Sequence, residues 1–153
     1  MINAFRNEYF FLSNFYEAPI TYCGITYKNN EAAFQAQKCE SRDEQMRFAD
    51  LSPSDAKRLG RRVELREDWE DIKISIMREI VSAKFDQNPD LAKKLIETDD
   101  EYLEEGNNWG DRIWGTVDGK GANNLGRILM EERERQKERA EWVEFFIDDD
   151  IIR

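Results

Sequence analysis

Asn29-Asn30-Glu31-Ala32-Ala33-Phe34-Gln35-Ala36-Gln37-Lys38-Cys39 is the stretch on which the reading of this chain turns. Asn29 and Asn30 are good N-caps, because a short amide accepts from the orphan N–H groups of a first helical turn. The alanines, glutamines and lysine that follow are strong helix formers, so the stretch predicts a helix. Glu31, Gln35 and Lys38 fall at i, i+4 and i+7, which places a carboxylate, an amide and an ammonium along one face. An acid and an amine held roughly 10 Å apart along the axis span the size of a small-ligand site. The plain alternative is a solvated face with a weak Glu/Lys attraction.

Working outward, Pro19-Ile20-Thr21-Tyr22 and Ile25-Thr26-Tyr27 are β-branched and aromatic runs around Cys23-Gly24. They predict a hairpin over about 19–28 that delivers the chain into the Glu31 helix, with Gly24 supplying a positive φ. Before it, Phe11-Leu12-Ser13-Asn14-Phe15-Tyr16 reads as an anchored loop in which Asn14 faces a cavity or satisfies turn backbone. A short strand is expected around Ala4 and Phe5, and another at 102–104 that pairs with the hairpin.

After the helix, residues 42–51 predict a charged helix with Met46 and either Phe48 or Ala49 turned inward. Ser52-Pro53-Ser54-Asp55 is a helix start with a capping-box acid, and Gly60 fits its stop. Lys57, Arg58, Arg61, Arg62 and Arg66 set five cations against Glu64, which suits phosphate oxygens or surface ion pairs. Apolar residues at helical spacing predict a long core helix over 69–85, and Asn88-Pro89 starts another that runs to about Thr98.

Gly106 to Gly126 holds six of the eight glycines and two of the four tryptophans. A loop so rich in glycine is costly to order, so Trp109, Asp111, Trp114 and Lys120 within it suggest a shaped surface. A tryptophan offers a flat face for a heterocycle. Gly119-Lys120-Gly121 leads into a helix from Leu125 to about Arg139, whose N-terminus is a candidate anion site. Beyond it, Trp142, Val143, Phe145, Phe146 and Ile147 form an apolar cluster that needs burial, on this domain or on a second copy, ahead of Asp148-Asp149-Asp150. Oligomeric state stays open.

The 153 residues, 40% hydrophobic and 37% charged, suggest one domain, mainly α in an α+β class, with a small antiparallel sheet. The expected division is a catalytic or binding domain over 1–138 and an extension over 139–153. No long apolar run marks a membrane span or a secretory leader, and Cys23 and Cys39 show no disulfide or metal spacing, so a reducing cytoplasm is expected. The absence of histidine removes the Ser-His-Asp class of triad and the usual zinc sites. A net charge of −10 works against a long nucleic-acid footprint.

Taken in order, Phe11-Leu12-Ser13-Asn14-Phe15-Tyr16, Glu31-Ala32-Ala33-Phe34-Gln35 with Lys38, Ala56-Lys57-Arg58-Leu59-Gly60-Arg61, Trp109-Gly110-Asp111, and Gly119-Lys120-Gly121 with Asn123 and Leu125-Gly126 resemble the NADAR family. The resemblance covers about residues 5–135. It implies a mostly helical domain with a small sheet and hydrolysis of an N-glycosidic bond between a ribose carbon and an exocyclic amine. The implied substrates are ADP-ribosylated guanine, as nucleotide or in nucleic acid, or a phosphorylated ribosylaminopyrimidine of riboflavin synthesis, with no cofactor or metal. It assigns Glu31, Lys38 and Asp111 to catalysis, with Lys38 as a candidate Schiff-base nucleophile. Asn14, Gln35, Arg58, Arg61, Trp109, Trp114, Lys120 and Asn123 are the expected substrate contacts. The residue after the acid, often histidine in the family, is Ala32 here, and Asn108 stands where an aromatic is common. The competing expectation is a module that binds ADP-ribose or NAD without cleaving it.

Overall fold

The computed structural model describes the backbone of residues 1–152 and the side chains of residues 1–145. Strands β1 (Glu17–Tyr22) and β2 (Ile25–Asn29) form a two-stranded antiparallel sheet with Tyr22 opposite Ile25 and Ile20 opposite Tyr27. Cys23 and Gly24 both have positive φ, +49° and +82°, so the turn needs two left-handed residues where the sequence suggested one. Ala18, Ile20, Ile25 and Tyr27 all point into the core.

Helix α1 (Asn30–Ala36) follows directly, with the Asn29 side chain accepting from Ala32 N–H at 2.8 Å. The helix stops sooner than its propensities suggest. Lys38 lies beyond its end in a turn, and the Lys38 carbonyl accepts from Arg66 N–H at 3.0 Å instead of continuing the ladder. Helix α2 (Arg42–Met46) is likewise shorter than expected, and the chain then turns so that Phe48 is fully buried while Met46 stays exposed.

Helix α3 (Pro53–Gly60) starts as predicted, Ser52 Oγ accepting from Asp55 N–H at 3.2 Å. Gly60 is its last residue and serves close packing: a Cβ there would lie 2.0 Å from Gln35 Oε1. Helices α4 (Trp69–Gln87) and α5 (Pro89–Glu97) form the other wall, and α6 (Asn124–Ile152) packs on both. Leu12, Ile20, Tyr27, Phe48, Ile80, Phe85, Leu95, Leu103, Leu125 and Leu129 are almost completely buried between these elements.

The two short strands expected at 4–5 and 102–104 are replaced by one parallel bridge, Ile2 to Leu103. The outer edge of β1 is occupied, because the Gln87 amide takes both backbone groups of Thr21 (2.7 and 2.8 Å) and Asn88 takes the Pro19 carbonyl. Residues 7–12 form a 3₁₀ segment. It is tied down by Lys84, a fully buried amine that donates to the carbonyls of Phe11 (2.5 Å) and Ser13 (3.1 Å). Burial pulls the Lys84 pKa down to about 7.

Helix α6 crosses position 139 without a break. Trp142, Val143 and Phe145 on it are exposed; Phe146, Ile147 and the three aspartates that follow lie outside the described side chains. Both cysteines are free, Cys23 at the surface and Cys39 in the core. Among the described residues no helix is long and apolar enough to cross a membrane.

Candidate active site

A cavity of about 630 Å³ opens between α1, α3, α4, the N-terminal segment and the glycine-rich loop. Its base is Glu31, in the first turn of α1 and 8% exposed. The loop before β1 fixes this position, because Glu31 N–H donates to the Asn14 carbonyl at 3.1 Å. One turn on, Gln35 Nε2 donates to Glu31 Oε1 at 2.9 Å, and Gly60 is the gap in α3 that admits the Gln35 amide. Burial raises the Glu31 pKa above the ordinary carboxylate value, opposed by the Gln35 bond and by Lys57 and Lys38.

Lys38 also lines the cavity, with its ammonium 6.0 Å above the Trp69 ring. Burial lowers its pKa, Arg61 and Lys57 add to the lowering, and Glu31 opposes it. The ammonium therefore loses its proton more readily than a surface lysine, while Glu31 keeps its proton more readily than a surface glutamate. Lys57 adds a further cation to the wall, 5.9 Å from the Phe15 ring, and Arg6 and Lys73 add two more.

The aromatic wall is Phe34 with Trp69 tilted against it at 5.0 Å and Trp114 edge-on at 5.3 Å. Trp109 is 58% exposed yet lines the cavity, so its flat face is available at the rim. Asn14 is buried against this space, its Nδ2 3.5 Å from Met77 Sδ and its Oδ1 accepting from Asn30 at 3.3 Å.

Asp111 lines the cavity from the loop, and its Oδ1 accepts from the N–H groups of Ile113 (3.0 Å) and Trp114 (2.9 Å). The carboxylate thus shapes the turn that presents Trp114. Asn107 clamps the same turn, donating to the carbonyls of Asp111 (2.8 Å) and Glu105 (3.3 Å) and accepting from Asp111 N–H (3.0 Å).

Of the residues singled out in the sequence, Glu31, Gln35, Lys38, Asn14, Trp109, Asp111 and Trp114 meet at the cavity. Arg58, Arg61, Lys120 and Asn123 are not on its wall. Arg58 is exposed and pairs with Asp55 at 3.2 Å; Arg61 lies close enough to bear on Lys38 but faces solvent. Lys120 is an exposed turn residue bonded through its backbone to Val117. Asn123 is buried, its amide spent on the Leu103 carbonyl (2.9 Å) and Glu105 N–H (3.0 Å).

The expected anion site at the start of α6 is also committed elsewhere. Asn124 and Leu125 N–H groups donate to the carbonyls of Ile113 and Trp114, and Arg127 N–H to Asn123. Sequence reasoning missed Arg6, Phe10, Lys73, Met77 and Glu105. Trp69, at the start of the predicted core helix, is both buried in the core and on the cavity wall, and nothing in the basic cluster separates Lys57 from its neighbours. Charge and spacing carry no signal for the others, which the fold brings together from α4, the loop and the N-terminal segment.

The chain is similar to known proteins along most of its length. The NADAR domain model matches residues 3–137. The riboflavin biosynthesis protein of Vibrio vulnificus (strain YJ016) is 42% identical over 136 residues, covering 85% of this chain and 36% of that protein, so the chain spans about a third of that relative. The N-glycosidase YbiA of Escherichia coli (strain K12) is 40% identical over 134 residues, 84% of this chain and 82% of YbiA. The NMR structure of E. coli YbiA superposes with a TM-score of 0.79 at 34% identity, over 92% of this chain and 89% of that one. A match that runs through nearly all of the ordered elements and every wall of the cavity identifies this chain as a member of the NADAR family.

Proposed function

We propose that the chain is an N-glycosidase that hydrolyses the bond between a ribose C1 and an exocyclic amine of a base. The substrate is a nucleotide-like molecule: a phosphorylated ribosylaminopyrimidine of riboflavin synthesis, or ADP-ribosylated guanine, free or in nucleic acid. Relatives named N-glycosidase and riboflavin biosynthesis protein support the reaction and the first of these substrates.

The observation that carries the reading is Glu31, a buried carboxylate in a cavity that also holds Asp111. A pocket built only to hold phosphates gains nothing from acids on its wall. A ribose C1 that develops positive charge does, since fixed negative charge in a secluded site stabilises it. Glu31 accepts a proton from the attacking water, and its raised pKa brings it nearer the working pH of a general base. Lys38, Lys57 and Arg6 supply the charge for the phosphates, and Trp109 or Trp114 the face for the base.

The test is release of ribose phosphate or ADP-ribose from the two substrates by the wild type and by Glu31→Gln. The substitution should lower kcat by about 10²–10⁴-fold and leave the Kd for product nearly unchanged. If the wild type cleaves neither substrate while ADP-ribose still binds, a non-catalytic module replaces the hydrolase. Lys38, with its lowered pKa, favours a second route through a Schiff base at C1, and borohydride added during turnover would then leave a covalent adduct on Lys38.

A further inference from the structure

Glu105 lines the cavity from the glycine-rich loop, and the scheme above leaves it without a task. Its backbone is held on both sides: the N–H donates to Asn123 Oδ1 at 3.0 Å, and the carbonyl accepts from Thr116 N–H at 2.9 Å. Its side chain is treated quite differently. Oε2 is fully buried with no hydrogen-bond partner, tucked beside Gly115, where a Cβ would come within 3.0 Å of it. Glu31, by contrast, has an amide donor on Oε1 and two lysines in range.

An ionised carboxylate with a bare buried oxygen is far costlier than a neutral carboxyl. Burial, with Asp111 and Glu31 adding like charge, pushes the Glu105 pKa up to about 8. Burial raises the pKa of both carboxyls, but only Glu31 has a donor and lysines that favour its ionised form, and that difference divides the base and acid roles between them.

Resting on the N-glycosidase reading, we propose that Glu105 is the general acid of the reaction, giving its proton to the departing nitrogen as the C1–N bond breaks. The bonding pair leaves with nitrogen and takes that proton, so the base departs as a neutral amine. A water oxygen bonds to C1 and its proton passes to Glu31. Glu31 then releases a proton to solvent and Glu105 takes one up, so water is the sole co-reactant.

The experiment compares the wild type with Glu105→Gln, an isosteric change that keeps a hydrogen-bond donor but has no acidic proton. Whichever substrate the wild type cleaves, its kcat should fall about tenfold per pH unit above pH 8, because the acid is then ionised. Glu105→Gln should lose about 10²–10³-fold in kcat at pH 7, keep its KM within about threefold, and show no alkaline limb. Carboxyl ¹³C NMR of the unliganded protein provides an arm that needs no turnover. A resonance titrating near pH 8 and absent from Glu105→Gln supports the assignment; titration of every carboxyl below pH 6 overturns it. Unchanged kcat in Glu105→Gln beside an active wild type overturns Glu105 alone, whereas an inert wild type overturns the hydrolase reading and this inference with it.

Discussion

Every residue of α1 is buried, whereas the loop that faces it across the cavity leaves Asn108, Trp109, Gly110, Arg112 and Ile113 exposed. Both nonetheless present carboxyls to the same space. Helix α1 does it by packing: alanines and Phe34 fill the interior, and Gly60 lets Gln35 lie against α3. The loop does it with hydrogen bonds, since the amides of Asn107, Asn123 and Asn124 grip six backbone groups between Leu103 and Ile113. A segment can be held in one geometry without a core of its own if polar side chains close its turns.

The contrast breaks most visibly at Asn107. Asn107→Ala removes three bonds around Glu105 and Asp111 and should cost about 3 kcal/mol in urea unfolding, together with about 100-fold in turnover. Wild-type stability would mean that the backbone bonds alone hold the loop. On the helix side, Gly60→Ala forces Gln35 aside; the expected cost is about 2 kcal/mol, and Glu31, deprived of its donor, should lose about tenfold in kcat. A neutral Gly60→Ala would show that α1 adjusts in ways its packing does not suggest. The smallest effect belongs to α3: Arg58→Ala should change stability by less than about 0.5 kcal/mol and KM by less than about twofold, while the neighbouring Lys57→Ala raises KM about tenfold.

Much of the fold was legible because it rests on local chemistry. Asn29, Ser52 and Pro89 mark helix starts through their own side chains, and Cys23-Gly24 marks its turn. The helix that carries Glu31 could be read for the same reason. What was not legible depends on partners distant in sequence. The early stop of α1 rests on Arg66, and the blocked edge of β1 on Gln87 and Asn88. In the site, the basic cluster pointed to α3 but not to Lys57 within it, since a run of cations carries no periodicity to say which one turns inward. Glu105 had no signal at all, because its isolation comes from Gly115, Asn107 and Asn123 closing around it.

The buried amine of Lys84 has a consequence for how folding exchanges protons with the solvent. Above its folded pKa of about 7 and below the ordinary lysine value of 10.5, folding releases a proton from Lys84, so this group's contribution to stability rises with pH across that window. Glu105 runs the other way: between the ordinary glutamate value of 4.5 and about 8, folding takes a proton up, and its contribution falls as pH rises. Each slope is about 1.4 kcal/mol per pH unit. Between the two folded-state values the contributions run against each other and largely offset, a proton taken up by one group opposing the proton released by the other. There the heat of folding depends least, through this pair, on the ionisation enthalpy of the buffer, and on either side of that interval it depends more on which buffer is used.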